Sequence, residues 1–235
     1  MPAGGEHFPP SRWSLLHRIR EAPPEGKRPL LDQLILLYYK PVYRFFQRVL
    51  DVRDERLKDV TQDFFTRFVE KDFLKNLHHE KSFRSFLKVA CRRHYINWLD
   101  AERVRKAPGG RKIVSLEDGE IVPEAQMSQL LDEELRQGYI QRGVERLRET
   151  LTAEGKEAYF RVFEQRTRFE GGKPKEYAVI AKELGLSLFD VRNYLSVARK
   201  KFRGILVELA SEATDDAKAE LRDLGLAEYV DRKTS

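Results

Sequence analysis

The sequence predicts an all-α protein of two small helical domains joined by a flexible linker, and three observations carry that expectation. Apolar residues recur at three- and four-residue spacing through most of the chain, and no segment alternates with period two for long. Two stretches of turn formers and charges without a period, PGGRK and EDGEIVPEAQ, separate two helical halves. The 235 residues leave room for one large domain or two small ones, and 41% hydrophobic with 35% charged residues suits modest cores.

The elements follow in order. Residues 1–10 are rich in Pro and Gly and read as disordered. Ser11 is placed to cap a short helix, RWSLLHRIR, that ends before Pro23-Pro24, and residues 1–28 read as an N-terminal extension. A second helix runs from Pro29 to about Val49 with Leu30, Leu34, Leu37, Tyr38 and Val42 on one face; Pro41 within it predicts a kink or break. A third, ERLKDVTQDFFTRFVEK, sets Leu57, Val60, Phe64, Phe65 and Phe68 near the 3.6 period. The connector NLHHEKS leads into a long basic helix, FRSFLKVACRRHYINWLDAERVRK, completing a first domain over residues 29–106.

Residues 107–135 read as the linker, with helical pattern resuming at about Ser128 and running through Leu151. Residues 136–208 read as a second domain that includes GKEAYFRVFEQRTRF, which stops at Gly171-Gly172, and then YAVIAKELG and LSLFDVRNYLSVARKKF. The tail, residues 209–235, offers Ala217, Leu221, Leu224 and Leu226 for one apolar face after the capping candidates Thr214 and Asp215. A lone helix of that length is marginal in water, so it is expected to pack back onto a domain.

The segment YAVIAKELGLSLFDVRNYLSVARKKF has the organisation of a helix-turn-helix. Ile180, Ala181 and Leu184 make the first helix apolar on one side, and the small Ala181 lets a second helix cross close to it. Gly185 can take the positive φ of a tight turn. Ser187 and Asp190 stand in capping-box spacing, and Val191, Leu195, Ala198 and Phe202 follow as a buried stripe. The other face presents Arg192, Asn193, Ser196, Arg199, Lys200 and Arg203, the kind of surface that enters a major groove. Arg192, Asn193 and Ser196 near the helix start are placed for base edges; Arg199, Lys200 and Arg203 further along are placed for phosphates. A plain helical hairpin with solvated charges has the same pattern.

Charge is distributed in keeping with a polyanionic partner. The net charge is +6, ten Lys/Arg against two acids lie between Lys81 and Lys112, and five against one lie between Ser187 and Leu206. An acidic stretch, Ser115 to Glu134, separates them. In the long basic helix Arg84, Lys88, Arg92 and Tyr95 share one face, with Arg93 and Trp98 beside it; cations there can track phosphates while a ring stacks on an unpaired base. Tyr95 and Trp98 are equally suited to a core. Asp59, Gln62 and Asp63 share one turn of the third helix, an acidic and amide surface that could pair with basic residues of a partner or be merely solvated.

Other classes have little to stand on. No apolar run approaches the roughly 20 residues of a membrane span, and the N-terminus lacks a secretion signal's pattern. The single Cys91 excludes an internal disulfide framework and fits a reducing cytoplasm. His78-His79-Glu80 and the Cys91/His94 pair lack a second ligand pair for a metal. No nucleophile–base set or phosphate loop is found, so neither catalysis nor a cofactor is expected.

In this order and spacing, LKDVTQDFFTRFVEK, KSFRSFLKVACRRHYINWLDAERVRK and the helix-turn-helix resemble the extracytoplasmic-function group of sigma-70-type factors. The resemblance rests on Asp59, Gln62, Asp63 and Phe65 in an Asp-x-x-Gln-(Asp/Glu)-x-Phe pattern, on the Phe83–Leu87 helix start, and on Val191-Arg192-Asn193. It covers about residues 30–106 and 136–208; the opening FPPSRWSLL and the tail look like a planctomycete-type variant. It implies a region 2-like bundle, a region 4-like helix-turn-helix, and promotion of transcription initiation. Asp59, Gln62 and Asp63 would dock on the β′ clamp helices of core RNA polymerase. The basic helix and the Asn76–Lys81 loop, with Asn76, His78, His79 and Lys81, would bind and melt the −10 element, and the helix-turn-helix the −35 element. Promoter DNA and polymerase are the implied partners, and an anti-sigma factor is one the resemblance allows. Asn97 stands where many members carry Asp, and Asp100 and Glu102 interrupt a usually basic helix end. The alternatives are a helix-turn-helix regulator that acts without polymerase and a non-catalytic helical adaptor.

Overall fold

A computed structural model describes residues 15–70, 83–106, 121–167, 173–212, 214 and 216–230. Among the described residues the regular elements are all helices, with no strand. The contacts divide the chain into two compact units: residues 1–135 with 212–215, and residues 136–211 with 216–235.

In the first unit α1 (Leu15–Glu21) ends just before Pro23 and α2 runs Pro24–Val49. Pro41 does not break α2; the helix continues through it. Leu34, Tyr38, Val42, Phe45 and Phe46 are buried on both sides of Pro41, and their burial offsets the hydrogen bond the proline removes. α3 (Asp54–Glu70) contributes Leu57, Val60, Phe64, Phe65 and Phe68, and α4 (Phe83–Lys106) contributes Phe83, Leu87, Cys91 and Tyr95. The result is an aromatic core in which Phe46 meets Phe64 edge-on at 5.7 Å and Tyr38 meets Phe83 at 4.7 Å. His94 is buried here, its Nε2 donating to the Val60 carbonyl at 3.1 Å, and burial holds its pKa below the usual imidazole value. Burial likewise pushes the Cys91 thiol up, so it is inert.

α5 (Glu124–Ala153) starts four residues before the Ser128 that the pattern indicates. Pro123 and Glu124 suit a first turn, and Met127, Leu131 and Leu135 give the opening turns of the helix a buried side.

The second unit holds the rest of α5, α6 (Glu157–Thr167), α7 (Tyr177–Leu184), α8 (Leu188–Ser211) and α9 (Ala217–Asp223). Its core is Leu147, Leu151, Val162, Phe163, Ile180, Val191, Leu195, Phe202 and Leu206, all closely buried. Gly143 of α5 faces two side chains of α8: a Cβ there would stand 2.8 Å from Phe202 Cε2 and 3.0 Å from Leu206 Cδ2. Gly143→Ala should therefore lower stability by about 1–3 kcal/mol, although alanine is the better helix former. Thermal unfolding checks this; an unchanged or raised Tm would show that the crossing is looser.

The tail packs as its pattern predicts. Ala217, Leu221, Leu224 and Leu226 are buried, and Tyr229 meets Phe202 edge-on at 5.4 Å. The cap of α9 is Asp216, whose carboxylate accepts from Ala219 N at 2.9 Å, in place of Thr214 or Asp215. The helix starts one residue later than a cap at Asp215 requires and two later than one at Thr214, because Ala217 is drawn into the core.

Candidate nucleic-acid interface

The turn between α7 and α8 is built by Gly185, Leu186, Ser187 and Asp190. Gly185 sits at φ 64° and ψ 33°, the left-handed conformation that ends α7 without strain on a side chain. Leu186 N donates to the Ala181 carbonyl at 2.9 Å, closing the end of α7. Ser187 and Asp190 then satisfy each other's backbone: Asp190 N donates to Ser187 Oγ at 3.0 Å and Ser187 N to Asp190 Oδ2 at 3.3 Å. The Ser187 hydroxyl also donates to Asp190 Oδ2 at 2.6 Å, so the acidic group of this first turn is occupied by the cap.

From that start α8 turns Val191, Leu195, Ala198 and Phe202 into the core, as their spacing predicts. Tyr194 stacks on Tyr159 of α6, with ring centroids 3.9 Å apart. Arg192, Asn193, Ser196 and Lys200 are exposed on the opposite side, forming a cationic, hydrogen-bonding face. Arg199 and Arg203 are half-buried, and the Arg199 charge acts on the Tyr229 hydroxyl, whose pKa is pushed up to about 12, chiefly by burial. Two apolar residues were not anticipated on the open side: Leu188 and Phe189, the latter 77% exposed. Their signal was available, since both fall outside the Val191–Phe202 stripe.

In the first unit Asp59, Gln62 and Asp63 are all exposed along the outer side of α3. Asp63 pairs with Arg67 at 2.8 Å, and Asp59 borders a shallow cleft with Arg53, Glu55 and Arg56.

The cation face of α4 is occupied from within the same unit. Asp132 of α5 reaches Arg84 at 3.1 Å and Lys88 at 2.6 Å, and Glu124 reaches Arg92 at 3.2 Å. The Arg84 side chain is 11% exposed. Arg48 of α2 binds the same acidic stretch, at 2.6 Å from Glu133 and 3.2 Å from Glu134. Tyr95 corrects the expectation that it stands ready to stack on a base: it is 3% exposed, inside the core, with its hydroxyl accepting from Val122 N at 3.4 Å. Helical spacing places Tyr95 beside the cations but does not say which side the core takes. Trp98 is half-buried beneath the Arg56 guanidinium at 5.4 Å, whereas Arg93 is exposed. Glu102, which breaks the basic run, is buried and pairs with Arg56 and with Arg105 at 2.9 Å, a structural use of that carboxylate. Asn76, His78, His79 and Lys81 lie outside the described residues.

Among the described residues no group of three His, Cys, Asp or Glu could hold a metal ion, and no helix is long and apolar enough to cross a membrane. Compared with known proteins, the chain matches no family model and no curated sequence.

Proposed function

We propose that the protein is a sigma factor of the extracytoplasmic-function type, non-catalytic and cytoplasmic, that binds core RNA polymerase and promoter DNA to start transcription. The observation that carries this is the turn into α8: a left-handed Gly185, a reciprocal Ser187–Asp190 cap, and Arg192, Asn193, Ser196 and Lys200 exposed opposite a buried stripe. A helix so capped presents its first turns outward, where base edges of a −35 element would be read. The exposed Asp59, Gln62 and Asp63 support a polymerase contact through the β′ clamp helices, and the cations of α4 support a −10 contact.

The test is run-off transcription from genomic fragments with core RNA polymerase, with and without the protein. The expected result is a set of protein-dependent transcripts sharing an upstream sequence. Identical transcripts in both reactions would refute the proposal. One observation favours a second reading, a helix-turn-helix regulator independent of polymerase: Arg84, Lys88 and Arg92 are already engaged by carboxylates, whereas Arg192 and Lys200 are open. That reading expects duplex binding without retention on polymerase.

A further inference from the structure

Phe189 is the residue that the buried stripe, the cap and the cationic face of α8 leave over. It lies three and four positions ahead of Arg192 and Asn193 and seven ahead of Ser196, so all four occupy one side of the helix. Its ring is 77% exposed, and Leu188 beside it is 48% exposed. A phenyl ring in that position contributes little to folding and gains on the order of the full burial term only when something covers it. The charge around it indicates what does. Arg192 and Lys200 are exposed on the same side, while Asp190, the acidic residue of this turn, is held by Ser187. An apolar tip followed by cations and an amide is complementary to a major-groove edge, where thymine alone carries an apolar group, its C5-methyl.

We infer that Phe189 is a base-reading residue that covers the C5-methyl of a thymine in the duplex site of α8. The thymine lies next to the bases that meet Arg192 and Asn193, whose side chains are suited to guanine and adenine edges respectively. Phe189 thus adds an apolar criterion to a hydrogen-bonding one, so that cytosine, which presents no methyl, is rejected at that position. This rests on the proposed reading of α8 as a groove-binding helix.

The experiment starts with the full chain selecting duplexes from a randomised pool. Each thymine of the selected sequence is then replaced in turn by deoxyuridine, which removes only the methyl group. Wild type should lose about fourfold in affinity at one thymine, the value of one buried methyl-sized group. Phe189→Ala should bind the thymine duplex about tenfold more weakly and be indifferent to deoxyuridine there, while Phe189→Leu should recover most of the discrimination. Because the side chain is exposed, the fold should persist in both variants by circular dichroism. Wild type indifferent to every deoxyuridine, or Phe189→Ala as sensitive as wild type, would overturn the assignment. In that case a loss of selectivity in Arg192→Ala would leave the groove reading of α8 standing. A chain that selects no sequence overturns both. Phe189→Ala that binds DNA normally but is no longer retained on core polymerase would make the ring a protein contact and overturn the assignment too.

Discussion

Alanine at Asp59, Gln62 and Asp63 together should abolish retention of the protein on core RNA polymerase while leaving it folded. All three side chains are exposed, so their removal opens no cavity. The intramolecular cost is small, since Asp63 loses an exposed pair to Arg67, and such pairs contribute about 0.3–0.5 kcal/mol on a helix. Alanine's helix propensity offsets part of that cost. Against a basic partner surface the same groups matter more, because truncating one member of a paired interfacial charge costs about 2–5 kcal/mol. Losing two carboxylates and an amide should therefore weaken binding by more than about a hundredfold. The measurement is co-purification with tagged core enzyme, with circular dichroism and thermal unfolding in parallel. Undiminished retention would sink the assignment of this surface.

Asp132→Asn should strengthen binding to a labelled single-stranded DNA oligonucleotide by about tenfold. Asp132 holds Arg84 and Lys88 together, and a phosphate must displace it from both before either cation can serve DNA. Two partly exposed pairs of about 0.5–1 kcal/mol each make up that barrier. Asparagine keeps an oxygen that accepts a hydrogen bond but removes the charge. Stability should fall, by about 1 kcal/mol, because the largely covered Arg84 loses the charge of Asp132. Affinity by fluorescence anisotropy and Tm by thermal unfolding separate the two effects. A lower Tm with unchanged affinity would mean that the pairing only holds α5 to α4 and that these cations do not meet DNA.

What the sequence discloses and what it withholds divide along the range of the interactions. The turn into α8 is written locally: Ser187 and Asp190 are three residues apart, Gly185 is next door, and the stripe from Val191 to Phe202 repeats at helical spacing. The tail is legible for the same reason, its four apolar residues lying on one short face, although its cap falls on Asp216. The acidic clasp on α4 is not legible, because Asp132 meets partners 44 and 48 residues away and nothing local points to them. Tyr95 fails in the same way: helical spacing groups side chains, but only a neighbouring helix decides which group faces inward. Pro41 shows the converse, a strong local signal overruled by aromatic burial around it.

The clasp also changes what salt does to this protein. A single strand that meets free cations is bound less tightly as salt rises, with a slope of about −0.7 in log K for each phosphate contact. Here the same ions that screen phosphates also screen Asp132 and Glu124 from Arg84, Lys88 and Arg92. Added salt thus loosens the internal competitor while it weakens the external ligand, and the two responses oppose each other. If α4 binds single strands as proposed, their affinity should then fall less steeply with ionic strength than a count of the basic residues on α4 implies. Single-strand binding through α4 should then be partly insensitive to ionic conditions, and Asp132→Asn, which removes the competitor of Arg84 and Lys88 but leaves Glu124 on Arg92, should steepen the dependence.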